Sequence, residues 1–406
     1  MLKNKWLWCA FSAVILIIAL IFAFRSCTDK GGDASDLNSD LSVETENSNS
    51  SSQPEESLVP EVSIPEISTD VSEESVPSES SDVTVPQVSQ EAPPEESAEE
   101  SVLPEVSVSE PLLISLPVIR LPEKPAAPWD GSIASGFEKG SGTADDPYVI
   151  STPSQLAYFR TAVNAGNDFR GQFIKLESDL FITDITSDPP LEWESIGNTK
   201  NPFCGTFDGD GHVIFGLYGG GLFGYIRGSV KNLGIADSFI TRGGSIADTA
   251  SRDFDLTDVP VISYCFVTRS TVAGSGGIAS YAGGYEIVNC VNDSTVTGND
   301  DWVGGIIGQC AMCSMKNCFN LGAVQTESFC GGVVGNAFDS TYENCFNVGK
   351  ITLSSQHGSF AAVSYDARFY NCGVLEGISD TVLYLSDMTP QASVDGIDIL
   401  TKDRFE

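Results

Sequence analysis

The sequence predicts an all-β solenoid of the parallel β-helix type, and two periodic features lead to this fold class. Cysteines recur at intervals of 25, 28, 27 and 27 residues, at positions Cys265, Cys290, Cys318, Cys345 and Cys372. A Gly-Gly or Gly-Ser pair begins 14 residues before each of the last four, at Gly276, Gly304, Gly331 and Gly358. A fixed period of this length indicates stacked structural units, none of which can bury its apolar face alone.

Short β-forming segments fill each repeat. In one repeat, residues 331–335, 341–346 and 350–353 are rich in β-branched and aromatic side chains, and Gly or Asn separates them. Three strands and three corners in about 27 residues correspond to one turn of a parallel β-helix. Neighbouring turns would then lie about 4.8 Å apart.

The corner next to each cysteine follows from side-chain direction. Three residues before each cysteine stands a mostly apolar residue, such as Ile287 or Met315, which we expect to point inward together with the cysteine. One straight strand cannot place both side chains inside, so the chain must bend between them. The residue at the bend is Asn in four of the five repeats, and Asn tolerates a left-handed conformation. We expect these Asn side chains to form a hydrogen-bonded ladder. A third apolar stack is expected from Val296, Val324, Ile351 and Ile378.

A short helix is predicted ahead of the repeats. Thr152 is suited to the N-cap, Pro153 to the first helical position, and Gln155 to the third position of a capping box. Gly166 then ends the helix. We expect this helix to cover the N-terminal end of the coil, where free strand edges would otherwise invite aggregation.

The glycine-rich strings of the repeats resemble those of a known family. The string Gly221-Leu222-Phe223-Gly224 and its copies at 305–308 and 332–335 look like the GLUG motif of bacterial cell-surface repeat proteins. Segments 142–150 and 205–212 are similar to the usual N-terminal module of that family. The resemblance implies a right-handed parallel β-helix on the cell surface. It implies no particular activity, because the motif also occurs in non-catalytic regions of metallopeptidases of the IgA-protease type.

Residues 1–30 are predicted to be a signal-anchor. Residues 6–24 carry no charge and would span about 28 Å as a helix, close to the thickness of a bilayer core. Lys3 and Lys5 precede them, which favours a cytoplasmic N-terminus and an outward-facing remainder. We therefore expect a single-pass protein of the cell membrane with its C-terminal domain extracellular. A cleaved signal peptide is the alternative.

Composition divides the rest of the chain. Residues 31–128 contain 22 acidic residues against two basic ones, and they are rich in Ser, Glu and Pro. They have too little apolar surface to offset the entropy of ordering, so a disordered acidic stalk is predicted. Residues 129–378 then form the predicted GLUG-type β-helix domain with its N-terminal cap, and residues 379–406 form a C-terminal cap or tail.

The cysteines do not predict a metal or a redox cofactor. Cys310 and Cys313, with Cys318 and Cys330 downstream, have a spacing superficially like that of a zinc site. Cys318, however, belongs to the periodic inward column, where it is unavailable to a metal at the surface. We therefore predict no metal and no cofactor, and a packing role for the column. Disulfides between adjacent turns are the open alternative.

No catalytic residues are predicted. Segment 208–212 superficially resembles a calcium loop, but it lacks the spacing of an EF-hand and suits a turn. Segment 299–301, Asn-Asp-Asp, is interpreted as a solvated corner and not as the paired acids of a glycosidase. Two histidines offer little for general acid–base chemistry, and a net charge of −35 disfavours nucleic acid as a partner.

The repeat breaks once, at residues 241–260. There the glycine pair is lost and the spacing increases, so we expect about five extra residues to form a loop on the flank of the coil. Insertions in solenoids often lie on the binding face. The candidates for a ligand-binding site are therefore the charged residues Arg242, Arg252, Asp253 and Asp255. A neutral, mobile excursion is the alternative.

The combined prediction is a membrane-anchored surface protein that is not an enzyme. Its β-helix would serve adhesion or bind an extracellular ligand, such as a surface glycan or protein. Two alternatives stay open. One is a polysaccharide hydrolase or lyase that uses carboxylates on one face of the coil, and the other is a purely structural spacer.

Overall fold

The computed structural model describes residues 113–405, except 299–301, 353, 355, 380, 387–388 and 392–393. These residues form a parallel β-helix of about nine turns with an α-helix near its beginning. The predicted membrane span at 6–24 and the predicted stalk up to residue 112 lie outside the described residues. Neither helix in the described part of the chain has the length and hydropathy that crossing a bilayer requires.

The α-helix, α1, covers Pro153–Asn164, and a 3-10 helix covers Lys402–Arg404. The first eleven strands are β1 Tyr148–Ile150, β2 Phe173–Leu176, β3 Leu180–Phe181, β4 Thr206–Asp208, β5 Val213–Phe215, β6 Tyr218–Gly220, β7 Phe223–Ile226, β8 Ser229–Lys231, β9 Gly234–Ala236, β10 Phe239–Arg242 and β11 Ala247–Ser251. The next eleven are β12 Val261–Ser263, β13 Phe266–Val272, β14 Ala279–Gly283, β15 Glu286–Val288, β16 Val291–Val296, β17 Trp302–Gly304, β18 Ile307–Ala311, β19 Ser314–Lys316, β20 Phe319–Asn320, β21 Val324–Gln325 and β22 Phe329–Gly331. The last eleven are β23 Val334–Phe338, β24 Thr341–Glu343, β25 Phe346–Asn347, β26 Ile351–Thr352, β27 His357–Gly358, β28 Ala361–Tyr365, β29 Arg368–Tyr370, β30 Cys372–Leu375, β31 Leu383–Ser386, β32 Thr389–Gln391 and β33 Ile397–Leu400.

Parallel pairing of these strands makes three long faces. The first face is β1-β2-β4-β8-β12-β15-β19-β24-β29. The second face is β3-β5-β9-β13-β16-β20-β25-β30-β33, extended sideways by β6, β10, β21 and β26. The third face is β7-β11-β14-β18-β23-β28-β31, and β32 closes it by pairing antiparallel with β31. A fourth strip, β17-β22-β27, also forms, whereas the sequence predicts three strands per turn.

The interior confirms the predicted inward positions. The periodic cysteines are buried, and the apolar residues three positions before them, such as Ile287 and Met315, pair from turn to turn along the first face. Between the two columns the chain bends at a residue with φ near +50°, namely Tyr264, Asn289, Asn317, Asn344 or Asn371. The Asn344 amide donates to Asn317 at 3.0 Å, and Asn317 donates to Asn289 at 3.0 Å. The predicted Asn ladder is therefore present.

A second Asn ladder lies inside the coil, two residues after the cysteines. The Asn292 side-chain amide donates to Asn320 at 2.7 Å, and Asn320 donates to Asn347 at 2.8 Å. All three residues are fully buried. A buried amide without a partner is costly, so these bonds keep successive turns in register. This buried ladder adds to the predicted ladder of Asn residues at the bends.

Burial keeps the thiols of Cys265, Cys318 and Cys330 protonated. Burial raises the pKa of the Cys330 thiol to about 11 and raises the pKa values of Cys265 and Cys318 as well. Cys310 and Cys313, which the period leaves unassigned, are buried too. Because the thiolate is the form that binds metals and attacks electrophiles, these cysteines are suited to packing.

Helix α1 begins and ends as predicted. The Gln155 N–H donates to the Thr152 hydroxyl at 3.3 Å, and Gly166 follows the C-cap with a φ of +111°. The Phe159 ring is buried and lies 5.4 Å from that of Phe203, centroid to centroid. The helix thus packs its apolar side on the first turns of the coil.

Residues 113–128, which we call the strap, lie along the coil. Near the C-terminal end of the coil, Ile114 pairs with Phe405. Near the N-terminal end, Leu121 packs on a cluster on the outer side of the second face. That cluster consists of Phe181, Val213, Phe215 and Ala236. The folded unit thus includes residues that composition assigns to the stalk, because apolar side chains of the strap find partners that composition cannot show.

Candidate functional site

One corner of the coil differs from those that follow it. The turn from the third face to the first takes two residues in four later turns, at 284–285, 312–313, 339–340 and 366–367. Between β11 and β12 the same turn takes nine residues, 252–260, which we call the corner loop. The additional residues cannot enter ladders spaced about 4.8 Å apart, so they lie outside the coil.

The corner loop corrects the predicted insertion at 241–260. Ala247 pairs with both β7 and β14, which places Gly244 and Ser245 level with the glycine pairs of the neighbouring turns. The glycine position is therefore kept, in Gly-Ser form, and the extra residues follow β11. The sequence interpretation was wrong because it counted backwards from Cys265, across the insertion itself.

Two arginines from earlier turns hold the corner loop. The Asp253 carboxylate lies 3.9 Å from the Arg227 guanidinium and 4.0 Å from that of Arg170. Within the loop, the Arg252 guanidinium donates to the carbonyl of Leu256 at 2.9 Å. Partly exposed ion pairs contribute about 0–1 kcal/mol each. These contacts therefore favour one conformation of the loop and add little to the stability of the coil.

The loop exposes apolar side chains. Phe254, Leu256 and Val259 are 56%, 46% and 42% exposed, and they are three of the twelve large apolar side chains exposed in the described part of the chain. Clustering of this kind marks an interaction surface more often than scattered exposure does. The Arg252 guanidinium lies 5.7 Å from the centroid of the Phe254 ring. Aromatic and arginine side chains are both enriched at protein interfaces.

The corner loop packs against the next turn of the coil. Gly284 has a φ of +69°, and a Cβ atom there would lie 3.0 Å from the Phe254 ring. Glycine is therefore the residue that lets Phe254 rest against this turn. Tyr281 lies on β14, three residues before Gly284, and burial raises the pKa of its phenol to about 12.

A half-buried thiol lies beside the same arginines. The Arg170 guanidinium is 3.4 Å from the Cys204 sulfur. Burial raises the pKa of the Cys204 thiol to about 11, although Arg170 and Arg227 favour the thiolate. Cys204 is therefore protonated at neutral pH and is not an activated nucleophile.

The structure separates the four predicted ligand-binding residues into two places. Arg252, Asp253 and Asp255 lie in the corner loop, where the Asp255 N–H donates to the Asp253 carboxylate at 3.3 Å. Arg242 lies at the end of β10, with its guanidinium 3.4 Å from the Glu192 carboxylate. Strand β11 crosses the third face between the two places.

Sequence reasoning missed several residues of the corner. Arg170 and Arg227 precede the loop by three turns and one turn, and nothing in their local sequence marks the contact. Phe254 and Leu256 were visible as apolar residues inside a charged insertion. That contrast was the available signal, because solvated loops rarely place bulky apolar residues so close together.

The structure describes one of the two acidic segments, 208–212 and 299–301, that resemble metal-binding or catalytic motifs. Segment 208–212 is a turn, as predicted, and Asp210 has a φ of +51°. The Asp208 carboxylate accepts from the Asp210 N–H and from the Asn232 side chain, at 2.9 Å each. Its hydrogen bonds thus serve the turn itself. Segment 299–301 lies outside the described residues.

Fold and corner loop together define a parallel β-helix protein with a lateral loop that exposes an apolar surface. No protein-family model matches the chain. A solved structure from Bacteroides ovatus, named provisionally as an immunoglobulin A1 protease, superposes with a TM-score of 0.51. The match covers 66% of this chain and 87% of that one at 23% identity. This likeness shows the β-solenoid fold.

Two curated relatives match parts of the sequence. A protein of Evansella cellulosilytica, named provisionally as a Gly-rich membrane protein, is 32% identical over 123 residues, or 28% of this chain. Halomucin of Haloquadratum walsbyi is 28% identical over 185 residues, or 44% of this chain. The chain spans 14% and 2% of the lengths of these two relatives.

Proposed function

We propose that this chain is a cell-surface protein whose β-helix binds a protein ligand through the corner loop and catalyses no reaction. In this proposal, residues 6–24 anchor the chain in the cell membrane. Residues 129–378 form a right-handed β-helix of the GLUG type outside the cell. The observation that carries the proposal is the exposed apolar group Phe254, Leu256 and Val259 on a loop that ion pairs hold in place.

Three resemblances support the proposed location. One relative is named provisionally as a membrane protein, and another is named halomucin. The repeat strings at 221–224, 305–308 and 332–335 resemble the GLUG motif of surface proteins. A membrane anchor also agrees with the apolar run at 6–24 and the lysines before it.

The arrangement of the corner loop supports binding of a protein. Interface hot spots are apolar or aromatic centres surrounded by polar groups. Phe254 is flanked in the sequence by Arg252, Asp253 and Asp255, and the Arg252 guanidinium lies 5.7 Å from the centroid of its ring. A loop already held by Arg170 and Arg227 loses less entropy on binding than a free loop would.

A structural spacer and a polysaccharide-active enzyme account less well for the exposed apolar side chains of the corner loop. A structural spacer gains nothing from exposed apolar side chains, which promote unwanted association. A glycoside hydrolase needs two positioned carboxyl groups about 5–9 Å apart around the sugar. In the corner loop, the Asp253 carboxylate is engaged by two arginines and is therefore poorly placed to act as acid or base.

The proposal is tested by measuring binding of the full-length chain, purified in detergent, to immobilised immunoglobulin A1, fibrinogen and mucin. We expect at least one of these proteins to be retained. Replacing Phe254 and Leu256 together by Ser should then weaken binding at least tenfold, which corresponds to about 1.4 kcal/mol. Ile399→Ser is the matched control, because Ile399 is 52% exposed and lies elsewhere on the coil.

Three outcomes would contradict the proposal. Retention of none of the three proteins would argue against a protein ligand, and equal binding by the double variant would remove the corner loop from the site. Release of peptides or sugars from these glycoprotein probes during the same incubations would favour the enzyme alternative.

A further inference from the structure

A second place on the coil combines partly exposed aromatic rings with charged side chains. Tyr218 on β6 pairs with Phe239 on β10, and Phe239 pairs with Thr271 on β13. Thr271 in turn pairs with Thr295 on β16. We call these four residues, one in each of four successive turns, the aromatic column.

The column faces outward. The residues that follow three of its members, Ile240, Val272 and Val296, are fully buried in the coil. Because successive side chains of a strand point to opposite sides, the column itself lies on the outer surface. Phe239 is 37% exposed.

The two rings form a stacked pair. The ring centroids of Tyr218 and Phe239 lie 6.1 Å apart, and the ring planes are 22° from parallel. The rings therefore form one aromatic patch that extends over two turns, in which each ring covers part of one face of the other. Such a surface has an apolar body with a polar tip at the Tyr218 hydroxyl, which suits ligands that are partly apolar and partly hydroxylated.

An ion pair stands beside the rings. The Arg242 guanidinium lies 3.4 Å from the Glu192 carboxylate, and both side chains are more than 60% exposed. A Cβ atom at Gly219 would lie 2.7 Å from Cγ of Glu192, so this glycine lets Glu192 lie close to the strand that carries Tyr218. An ion pair this exposed contributes little to stability. Its donors and acceptors are accessible to a ligand rich in hydroxyl groups.

We propose that the aromatic column binds a linear, neutral polysaccharide that runs along the coil axis. The exposed parts of the two rings would contact apolar C–H groups of neighbouring sugar residues, and Arg242, Glu192 and the two threonines would hydrogen-bond to hydroxyl groups. Turns of the coil repeat about every 4.8 Å, and an extended β-1,4-linked pyranose chain advances by a similar length per residue. Successive sugars would thus meet successive members of the column.

Charge selects against an acidic polysaccharide. Residues 129–406 contain 33 acidic and 15 basic residues, a net charge of −18. The cations next to the column are already paired, Arg242 with Glu192 and Arg269 with Asp237. A polyanion would therefore be repelled by the domain without finding a compensating basic patch.

The test uses the full-length chain in detergent and isothermal titration with cellohexaose, mannohexaose, xylohexaose and polygalacturonate. We expect at least one of the three neutral hexaoses to bind, and its disaccharide to bind at least tenfold more weakly. Phe239→Ala should raise the dissociation constant at least tenfold. Tyr370→Ala should leave it unchanged, because Tyr370 is 52% exposed but lies on β29 of the first face.

The inference is overturned if none of the neutral hexaoses binds, if polygalacturonate alone binds, or if Phe239→Ala binds as the parent does. Equal affinity for the disaccharide would overturn the extended arrangement along the axis. Tyr218→Phe provides a second variant that keeps the stacked pair and removes only the hydroxyl. The corner-loop variant Phe254→Ser should bind the hexaose normally, so failure here and failure of the proposed protein ligand are distinguishable.

Discussion

The two halves of the coil are built differently. In the irregular half, residues 129–260, aromatic side chains fill the interior, and turn lengths vary. These side chains include Trp193, Phe203, Phe207 and Phe223. In the periodic half, residues 276–375, each turn repeats columns of Cys, Asn and Gly at intervals of 27 or 28 residues. The corner loop and both rings of the aromatic column belong to the irregular half.

This difference shows that a strict period limits how far one turn can differ from the next. In the periodic half, Asn320 is hydrogen-bonded to Asn292 in the turn before it and to Asn347 in the turn after it. An insertion in the segment that carries one of these Asn residues would break both bonds, so neighbouring turns constrain one another there. Aromatic packing has no such chain of donors and acceptors, and one turn can differ from the next. The irregular half can therefore carry sites while the periodic half maintains register.

The largest expected effect lies in the periodic half. A side chain at Gly305 would overlap the carbonyl of Gly332 and the amide of Asn320. Gly305→Val should therefore lower the free energy of unfolding by about 3 kcal/mol or more. The measurement is urea unfolding of residues 113–406. Gly211→Ala in the irregular half is the control, since nothing lies within 4 Å of its site, and its φ of +85° should cost about 1 kcal/mol. Equal losses in the two variants would remove the distinction between the halves.

The buried Asn ladder should give the next largest effect. Asn320→Ala removes one hydrogen-bond partner from the amide of Asn292 and one from the carbonyl oxygen of Asn347 inside the coil, at a cost of about 2–3 kcal/mol. Asn317→Gly is the matched control on the exposed ladder, because glycine accepts its φ of +52° and water replaces the lost bond. We expect a loss under about 1 kcal/mol for that control by urea unfolding. A loss in Asn320→Ala no larger than in Asn317→Gly would show that the buried ladder does not set the register.

Much of the periodic half was predictable from the sequence because each of its columns is also a sequence period. The cysteine column, the bend at Asn317 and its equivalents, and the capping of α1 at Thr152 were all predicted and are present. The buried ladder had a visible signal as well, since Asn recurs two residues after Cys290, Cys318 and Cys345. The predicted stack at Val324 and Ile351 does not continue to Ile378, because a turn at 376–377 follows β30.

The candidate site was less predictable because its contacts join distant parts of the chain. Arg170 and Asp253 are 83 positions apart, and only the stacking of turns brings them together. The strap was missed for the same reason, because the partners of Leu121 lie on three different strands. Local patterns predict which residues face inward, but they do not show which outer residues of successive turns become neighbours.

The Tyr281 phenol should make the free energy of unfolding depend on pH in the alkaline range. Its pKa is raised from 10.0 to about 12 by burial, so the folded state keeps the phenol protonated longer than the unfolded state does. The contribution of the protonated phenol to the free energy of unfolding is fully present below pH 10 and is lost as the pH rises towards 12. Between pH 9 and 11, the parent should lose about 1.4 kcal/mol more than Tyr281→Phe in urea unfolding. If the free energy of unfolding fell equally with pH in the parent and in Tyr281→Phe, the phenol would be as hydrated in the folded protein as in the unfolded chain.

The smallest effect on stability should come from removing the corner loop. Replacing residues 252–260 by Gly-Tyr, the turn found at 284–285, removes two weak ion pairs and shortens a surface loop, and each change is worth under about 1 kcal/mol. The free energy of unfolding should therefore stay within about 1 kcal/mol of the parent value, while binding of a protein ligand is lost. Deleting Met312 from the equivalent turn of the periodic half is the matched control, because one missing residue there shifts every later pairing. We expect that deletion to prevent cooperative unfolding. A trimmed loop that destabilises the coil as strongly would show that the irregular half is as tightly constrained as the periodic one, and that the loop is part of the scaffold.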